Sequence, residues 1–259
     1  AVSQAVHADS LDEQRNRYAQ IKQAWDNKQM DTVQALMPTL KDYPLYPYLE
    51  YRQITDDLMN QPTVTVNNFI QANPTLPPAR TLKSRFVNEL ARREDWRGLL
   101  AFSPDKPGAT EAQCNYYYAK WATGQQEEAW TGAKELWLTG KSQPNACDPL
   151  FSAWRASGKQ DPLSYLERIR LAMKAGNTRL VTVLAGQMPA DYQTIASAVI
   201  SLANDPNTVL TFARTTGATD FTRQMAAVAF ASVARDDVEN ARLMIPQLVQ
   251  AQQLNDDQT

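Results

Sequence analysis

The chain has 259 residues, of which 43% are hydrophobic and 21% charged, with 26 Lys and Arg residues against 28 Asp and Glu residues. That length allows one large domain or two small ones with a real core, and the near-neutral charge gives no general attraction to nucleic acid or anionic lipid. Since no stretch approaches the roughly 20 apolar residues of a membrane helix, we expect neither a nucleic-acid partner nor a membrane span.

Residues that hold cofactors or metals are scarce. There are nine glycines, the first at Gly98, a single histidine, His7, and two cysteines. No glycine-rich phosphate loop occurs, and zinc sites of the usual Cys/His type need more ligands than this. Because the one histidine lies near the N-terminus, it is a poor base for a Ser or Cys nucleophile. We therefore predict no cofactor and no metal site.

The first eight residues resemble the end of a signal peptide. Val6 and Ala8 are small residues at the −3 and −1 positions of a signal-peptidase site. We predict that residues 1–8 are a signal-peptide remnant, cleaved before Asp9; an ordinary frayed terminus is the alternative. In an exported protein two cysteines normally pair, so we predict a disulfide between Cys114 and Cys147, with two separate buried thiols as the alternative.

Helix signals follow one another from Ser10 onward. Ser10 to Glu13 has the pattern of a capping box, and Asp161 and Asp205 each precede a proline at an expected first helical position. The run 63–66 alternates like a strand, but it is short. The Pro-rich stretch 74–78 is the best candidate joint, although a turn between helices is the preferred interpretation. The predicted helices include 10–28, 45–60, 77–93, 110–123, 125–139, 161–175, 190–203, 219–235 and 237–249.

Glycines punctuate these helices at regular intervals. Gly124, Gly140, Gly158 and Gly176 are separated by 16, 18 and 18 residues, and each follows a periodic run, as Gly217 does. A left-handed helix end is expected at each of them. Two intervals make a helix pair of about 35 residues, typical of a tetratricopeptide-type repeat. We predict an all-α fold, a solenoid of short antiparallel helix pairs.

Three groups of residues are of types that carry chemistry or bind ligands in other proteins. Adjacent carboxylates on a helix point about 100° apart, so four such pairs are interpreted as solvated or capping, namely Asp56/Asp57, Glu127/Glu128, Asp236/Asp237 and Asp256/Asp257. Trp130 and Trp137 lie seven residues apart, which favours core packing over stacking on a sugar. The basic helix is interpreted as a solvated face paired with acids; its cations are Arg80, Lys83, Arg85, Arg92, Arg93 and Arg97.

Several long segments resemble the soluble lytic murein transglycosylases of enteric bacteria. They are ELARREDWRGLLAFSP at 89–104, CNYYYAKW at 114–121, GAKELWLTGKSQPNAC at 132–147 and RTTGATDFTRQMAAVAF at 214–230. The resemblance covers essentially everything after Ala8. It implies that residues 9–259 form a right-handed, U-shaped superhelical domain, incomplete at its C-terminal end. The parent enzyme would be periplasmic and would cleave the bond between N-acetylmuramic acid and N-acetylglucosamine, leaving 1,6-anhydromuramyl ends.

The family's catalytic glutamate has no counterpart in this sequence. In the family that residue precedes a serine and is followed by a Gly-Leu-Met-Gln segment. None of the ten glutamates here precedes a serine, and the Gly-Leu-Met-Gln segment does not occur. No catalytic residue is therefore assigned, and we expect the chain to be inactive alone. The ten are Glu13, Glu50, Glu89, Glu94, Glu111, Glu127, Glu128, Glu135, Glu167 and Glu239.

The resemblance also implies partners. They are the linker and catalytic domains of the same enzyme and, through that enzyme, the glycan strands of peptidoglycan. The expected role is to support the catalytic domain and to guide glycan strands. A free-standing α-solenoid adaptor and a decoy or inhibitor of the full-length enzyme are the alternatives, and an independent carboxylate enzyme is a more distant one.

Overall fold

The structure, a computed structural model, describes residues 10–254. Within that range the regular elements are fifteen α-helices and five short 3-10 helices, with no strand. The predicted all-α class is confirmed, and 63–66 belongs to a helix. The proposed signal-peptide remnant and His7 lie outside the described residues, as do Asp256 and Asp257. No helix in the described part of the chain is long and apolar enough to cross a membrane.

The chain divides into two compact units, Ala1–Pro107 and Gly108–Thr259. In the Pro-rich stretch 74–78, residues 74–76 form a turn between two helices, as the preferred interpretation has it, and Pro77 and Pro78 begin the second of these helices. The predicted single domain from residue 9 to residue 259 stays a prediction. In unit one the α-helices are α1 Leu11–Asp26, α2 Met30–Leu36, α3 Tyr46–Asp56, α4 Thr63–Ala72, α5 Pro77–Arg92 and α6 Trp96–Phe102, with 3-10 helices Met37–Leu40 and Leu58–Asn60.

Unit two holds the remaining helices. Within both units most consecutive helices pack as neighbours, as a row of helical hairpins predicts, and in unit two α10 also packs against α14. The α-helices are α7 Thr110–Ala122, α8 Gln126–Trp137, α9 Asp148–Ala156, α10 Leu163–Lys174, α11 Thr178–Gly186, α12 Gln193–Asn204, α13 Val209–Thr215, α14 Asp220–Asp236 and α15 Val238–Gln252. Three 3-10 helices separate them, Asn145–Cys147, Ala190–Tyr192 and Pro206–Thr208.

Side-chain caps begin several helices. The Ser10 hydroxyl accepts a hydrogen bond from the Glu13 N–H at 3.1 Å, one half of the predicted capping box. Asp161 accepts from the Leu163 N–H at 3.0 Å, and Asp205 accepts from the N–H two residues later at 3.1 Å. These caps satisfy N–H groups that have no partner inside the helix. The predicted helix start after Ser10 is correct, whereas α10 begins at Leu163, one residue after Pro162, and Pro206 begins a 3-10 helix rather than an α-helix.

The glycines are only partly as predicted. Gly124, Gly158 and Gly176 have φ of 89°, 76° and 72°, the left-handed conformation expected after a helix. Gly140 and Gly217 do not have it, so that prediction is wrong for both. A Cβ at Gly140 would collide with the Leu171 carbonyl oxygen of α10, and close approach is therefore what glycine permits there. Before Gly217 the chain leaves α13 in an extended conformation.

The two units have separate cores. In unit one, part of the core gathers around Ile21, Trp25 and Leu40, which are 5% exposed or less. The core of unit two is one continuous cluster from Cys114 to Leu248, with Trp137 at 2% exposure among its largest side chains. The predicted core position of Trp137 is confirmed. Trp130 is partly buried and packs against the same cluster.

Candidate ligand-binding site

The adjacent carboxylates lie where helix ends and surfaces explain them. Asp237 caps α15 by accepting from the Asn240 N–H at 3.0 Å. Glu128, in the first turn of α8, pairs with the Lys120 ammonium at 2.8 Å and is largely exposed. Asp56 accepts from the Trp25 indole N–H at 2.5 Å. These described pairs are capping or surface groups, as predicted.

Glu89 on α5 is the buried carboxylate of unit one. It is 9% exposed and accepts hydrogen bonds from the Arg92 guanidinium at 2.5 to 2.9 Å and from Arg93 Nε at 3.4 Å. The Arg92 hydrogen bonds hold the pKa of Glu89 below its ordinary value of 4.5, against the effect of burial. Glu89 is therefore held ionised, which does not suit a general acid.

The basic helix α5 makes specific contacts. Arg93 Nη2 donates to the carbonyl oxygens of Leu58, Met59 and Gln61 at 3.1, 3.2 and 2.9 Å, around the end of a 3-10 helix. Arg85 donates to the Tyr51 hydroxyl at 3.2 Å. The prediction that this face pairs with nearby acids holds for the two arginines next to Glu89. The carbonyl contacts of Arg93 depend on tertiary structure and were not predictable.

Cys114 and Cys147 are joined in a disulfide, with Cα atoms 4.9 Å apart. Both are fully buried. Cys114 lies on α7 and Cys147 ends the 3-10 helix that leads into α9. The bond fixes the start of α9 against α7, and α9 in turn carries part of the aromatic centre of unit two.

Trp137, the last residue of α8, is that aromatic centre. Its ring meets the rings of Phe151, Trp154 and Tyr165 edge-on, with centroids 5.1, 6.2 and 5.0 Å away. The indole N–H donates to the Ser164 carbonyl oxygen at 2.8 Å, so its one polar atom is satisfied. α8, α9 and α10 thus converge on a single ring.

Arg168 lies over this ring. It is 4% exposed, and its guanidinium carbon is 4.5 Å from the Trp137 ring centroid and 5.6 Å from that of Phe151. Nη2 donates to the Lys141 carbonyl oxygen at 3.2 Å, while Nε is buried without a hydrogen-bond partner. No carboxylate of the described chain lies within ion-pair distance of it. A buried cation without a counter-ion is costly.

Arg168 lines a cavity of about 470 Å³ among α8, α9, α10 and α11, which we name the Arg168 cavity. Its apolar wall includes Trp137 and Leu184, and the amides of Gln143 and Gln187 add polar groups. Two further arginines and one carboxylate, all exposed, line it, namely Arg155, Arg179 and Asp148.

The charges in this cavity are unbalanced. Three arginines face one aspartate, and none of the three forms an ion pair within residues 10–254. Burial lowers the pKa of Arg168 to about 10, and the negative charge of Asp148 offsets part of that shift. Arg168 remains charged at neutral pH. The cavity can therefore accept an anionic group.

Arg168 was not among the residues predicted from the sequence. A signal was present, because Arg168, Ile169 and Ala172 follow Tyr165 at helical spacings of three, four and seven residues and share its buried stripe on α10. An arginine on such a stripe is unusual. Residues 10–254 hold no group of three or more His, Cys, Asp or Glu side chains that could bind a metal ion.

Nearly the whole length of this chain is similar to part of two longer known proteins. It is 88% identical over 257 residues to the soluble lytic murein transglycosylase of Escherichia coli strain K12, covering 99% of this chain and 40% of that protein. The soluble lytic murein transglycosylase of Salmonella typhimurium is 84% identical over 254 residues, covering 98% and 39%. The chain thus spans about 40% of the length of these relatives. A scan against protein-family models finds no match.

Solved structures agree with the sequence comparison. The crystal structure of the 70-kDa soluble lytic transglycosylase of Escherichia coli matches with a TM-score of 0.93 and 89% identity, covering 96% of this chain and 40% of that one. An inactive mutant of the lytic transglycosylase Slt of Pseudomonas aeruginosa matches with a TM-score of 0.80 and 30% identity, covering 93% and 39%. The resemblance expected from the sequence is confirmed: over nearly its whole length, the chain is homologous to a portion of the soluble lytic murein transglycosylases of enteric bacteria.

Proposed function

We propose that this chain is a non-catalytic helical part of a periplasmic lytic transglycosylase, which supports the catalytic domain and guides glycan strands. The parent enzyme would cleave the bond between N-acetylmuramic acid and N-acetylglucosamine and leave 1,6-anhydromuramyl ends. The observation that carries this proposal is 88% identity to a murein transglycosylase, together with coverage of only 40% of that relative.

The carboxylates of the described chain support a non-catalytic role. A glycosidic bond is broken with the help of a carboxyl that is protonated near neutral pH, inside a cleft that holds the sugar. The pKa of Glu89 is lowered by its arginines. Glu50 on α3 is half-buried, and burial raises its pKa, yet it does not precede a serine as the family's catalytic glutamate does.

A murein zymogram tests the non-catalytic part of the proposal. We expect the purified chain to give no clearing, while the full-length Escherichia coli relative clears the gel. Because Glu50 has the raised pKa, Glu50→Gln is the matched control if clearing appears. Clearing that Glu50→Gln abolishes would overturn the proposal and would make this chain an independent carboxylate enzyme.

A chimera tests the supporting role. In the Escherichia coli relative, the homologous 40% is replaced by this chain, and release of soluble muropeptides from purified murein is measured. With 88% identity we expect the chimera to retain most of the activity, whereas deletion of the same part should lower it. Equal activity of the deletion protein and the chimera would contradict a supporting role.

Titration with soluble glycan strands tests the guiding role. We expect saturable binding by the chain, and its absence would contradict guiding.

Addition of the purified chain to the full-length relative addresses the decoy alternative. We expect little change in murein release at equimolar chain, and a strong, dose-dependent decrease would favour a decoy or inhibitor instead.

A further inference from the structure

The Arg168 cavity holds a positive charge that the described chain does not neutralise. Arg168 is 4% exposed, its Nε has no hydrogen-bond partner, and no carboxylate lies within 4.0 Å of its guanidinium. The ring of Trp137 beneath it offsets only part of the cost of burial. A carboxylate brought in by a ligand would supply the missing counter-charge, and a guanidinium matches a carboxylate in both charge and planar geometry.

We propose that the Arg168 cavity binds the short, carboxylate-bearing peptide that is attached to murein glycan strands. This proposal rests on the proposed function, because that function brings the chain to murein. It adds a ligand site to the proposed function, and it assigns the peptide, rather than the sugar, to this cavity.

The size of the cavity favours a short peptide. Its volume of about 470 Å³ lies in the range of small-ligand sites, which run from about 300 to about 1,000 Å³. A few amino-acid residues fit in that volume, but a polymeric glycan strand does not. Leu184 and the half-exposed Val183 offer apolar contact for a small side chain such as the methyl group of alanine.

The charges at the rim fit a peptide with several ionised groups. Arg155 and Arg179 are exposed and lie at the same cavity as Arg168, so a second ligand carboxylate would find a partner there. Asp148, also exposed, would accept from a ligand ammonium group. Murein peptides carry more than one carboxylate and a diamino acid, whereas the N-acetylated sugars of the glycan are uncharged apart from the attached peptide. The cavity therefore complements the peptide.

Uncharged polar side chains of the cavity also suit a peptide ligand. The Gln143 side chain is fixed, because its Nε2 donates to the Leu136 carbonyl oxygen at 2.6 Å. Its oxygen and the amide group of Gln187 line the cavity and suit the N–H and C=O groups of a peptide backbone. Gln187 at present accepts from Arg155 Nη2 at 3.2 Å, so ligand binding would exchange one partner for another.

Isothermal titration calorimetry of the full chain with the tripeptide L-Ala-γ-D-Glu-meso-diaminopimelate tests the proposal. We expect saturable binding, and no detectable binding would overturn it. Three further probes identify the source of affinity: the tripeptide with methyl-esterified carboxylates, succinate, and chitotetraose, an uncharged oligosaccharide of N-acetylglucosamine. All three should bind at least about tenfold more weakly than the free tripeptide. Equal binding of succinate or of chitotetraose would overturn the assignment to the peptide.

Two arginine variants and one matched control locate the site. Arg168→Gln should abolish binding, and Arg179→Gln, an exposed change that leaves the core intact, should weaken it about tenfold. Lys174→Gln is the control: Lys174 is also exposed, lies on the same helix as Arg168, and lines a different cavity. Equal weakening by Arg179→Gln and Lys174→Gln would show general charge attraction and overturn the site. If Arg168→Gln does not fold, the comparison of Arg179→Gln with Lys174→Gln still shows whether the tripeptide binds in the Arg168 cavity.

Nuclear magnetic resonance spectroscopy tests where the ligand binds. The indole N–H resonance of Trp137 should shift on titration, because its ring underlies Arg168, while that of Trp25 in unit one should not. Shifts of equal size in both would contradict binding in the cavity. The chimera assay is independent of these measurements. Activity in the chimera without tripeptide binding overturns the cavity assignment alone, whereas tripeptide binding without support of activity overturns the supporting role alone.

Discussion

Glu89 in unit one and Arg168 in unit two are both less than a tenth exposed, yet only Glu89 has oppositely charged partners. Glu89 accepts from Arg92 and Arg93, three and four residues further along the same helix. Arg168 lies over an aromatic ring and donates to a carbonyl oxygen from another part of the chain. A locally paired charge stabilises its own helix, whereas an unpaired buried charge needs support from elsewhere or a ligand. The difference separates a structural ion cluster from a candidate binding site.

Loss of the ring that supports Arg168 should have the largest effect on stability. Trp137→Ala removes a side chain that is 2% exposed at the centre of unit two, so we expect a loss of about 3 to 5 kcal/mol in the free energy of unfolding. Urea denaturation followed by circular dichroism measures it. Trp121→Ala, at a half-buried position, is the control and should cost clearly less. Equal losses would contradict a central role for Trp137.

Removal of the disulfide should cause the second-largest loss of stability. The paired change Cys114→Ser and Cys147→Ser should lower the stability of unit two by about 3 kcal/mol, because the bond closes a loop of 33 residues. Hydrogen exchange resolved by peptide measures each unit separately. We expect faster exchange in the helices of unit two, α9 above all, and unchanged exchange in α1 to α6. Equally faster exchange in unit one would contradict this assignment.

Neutralisation of Glu89, the buried charge that has ion-pair partners, should lower the free energy of unfolding by less than loss of the disulfide. Glu89→Gln weakens the hydrogen bonds to Arg92 and Arg93, and we expect a loss of about 1 to 3 kcal/mol. The cost is limited because Arg93 keeps three carbonyl partners and Arg92 is half-exposed. Glu94→Gln, at an exposed position nearby, should change stability by less than about 0.5 kcal/mol. Urea denaturation of the two variants distinguishes them, and equal losses would show that the cluster contributes little.

The smallest effect should be a dependence on pH. The pKa of Glu89 in the folded chain is below its ordinary value of 4.5, so its stabilising contribution is present above about pH 4.5 and is lost as the pH falls through the lower folded pKa. Urea denaturation from about pH 6 to about pH 3 should therefore show a smaller decrease in Glu89→Gln than in the unaltered chain. Identical pH profiles would contradict a lowered pKa.

Features that depend on neighbours along the chain could be predicted from the sequence. The caps at Ser10 and Asp161 and the glycine turns at Gly124, Gly158 and Gly176 follow from groups a few residues apart. Gly140 followed the same pattern but serves another purpose. Its small size permits the approach of α10, a helix that begins more than twenty residues later, and no local signal distinguishes the two uses of glycine.

The candidate site shows the same limit. Trp137 could be placed in the core from helical spacing, since burial of an apolar face needs only periodicity. The position of Arg168 over that ring could not, because it depends on how α8, α9 and α10 converge. The partners of Arg93 near the end of a 3-10 helix likewise come from residues more than thirty positions away.

The amino-acid sequence by itself determined the helical class, most helix boundaries, the core role of Trp137 and the relation to murein transglycosylases, since these depend on spacing, local hydrogen bonds and residue identity. Tertiary structure alone decided that Arg168 is buried without a counter-ion, whereas the arginine partners of Glu89 lie on its own helix. Helices distant in sequence set the dielectric surroundings and the partners of a side chain, and those surroundings leave Arg168 without a carboxylate at the wall of a cavity.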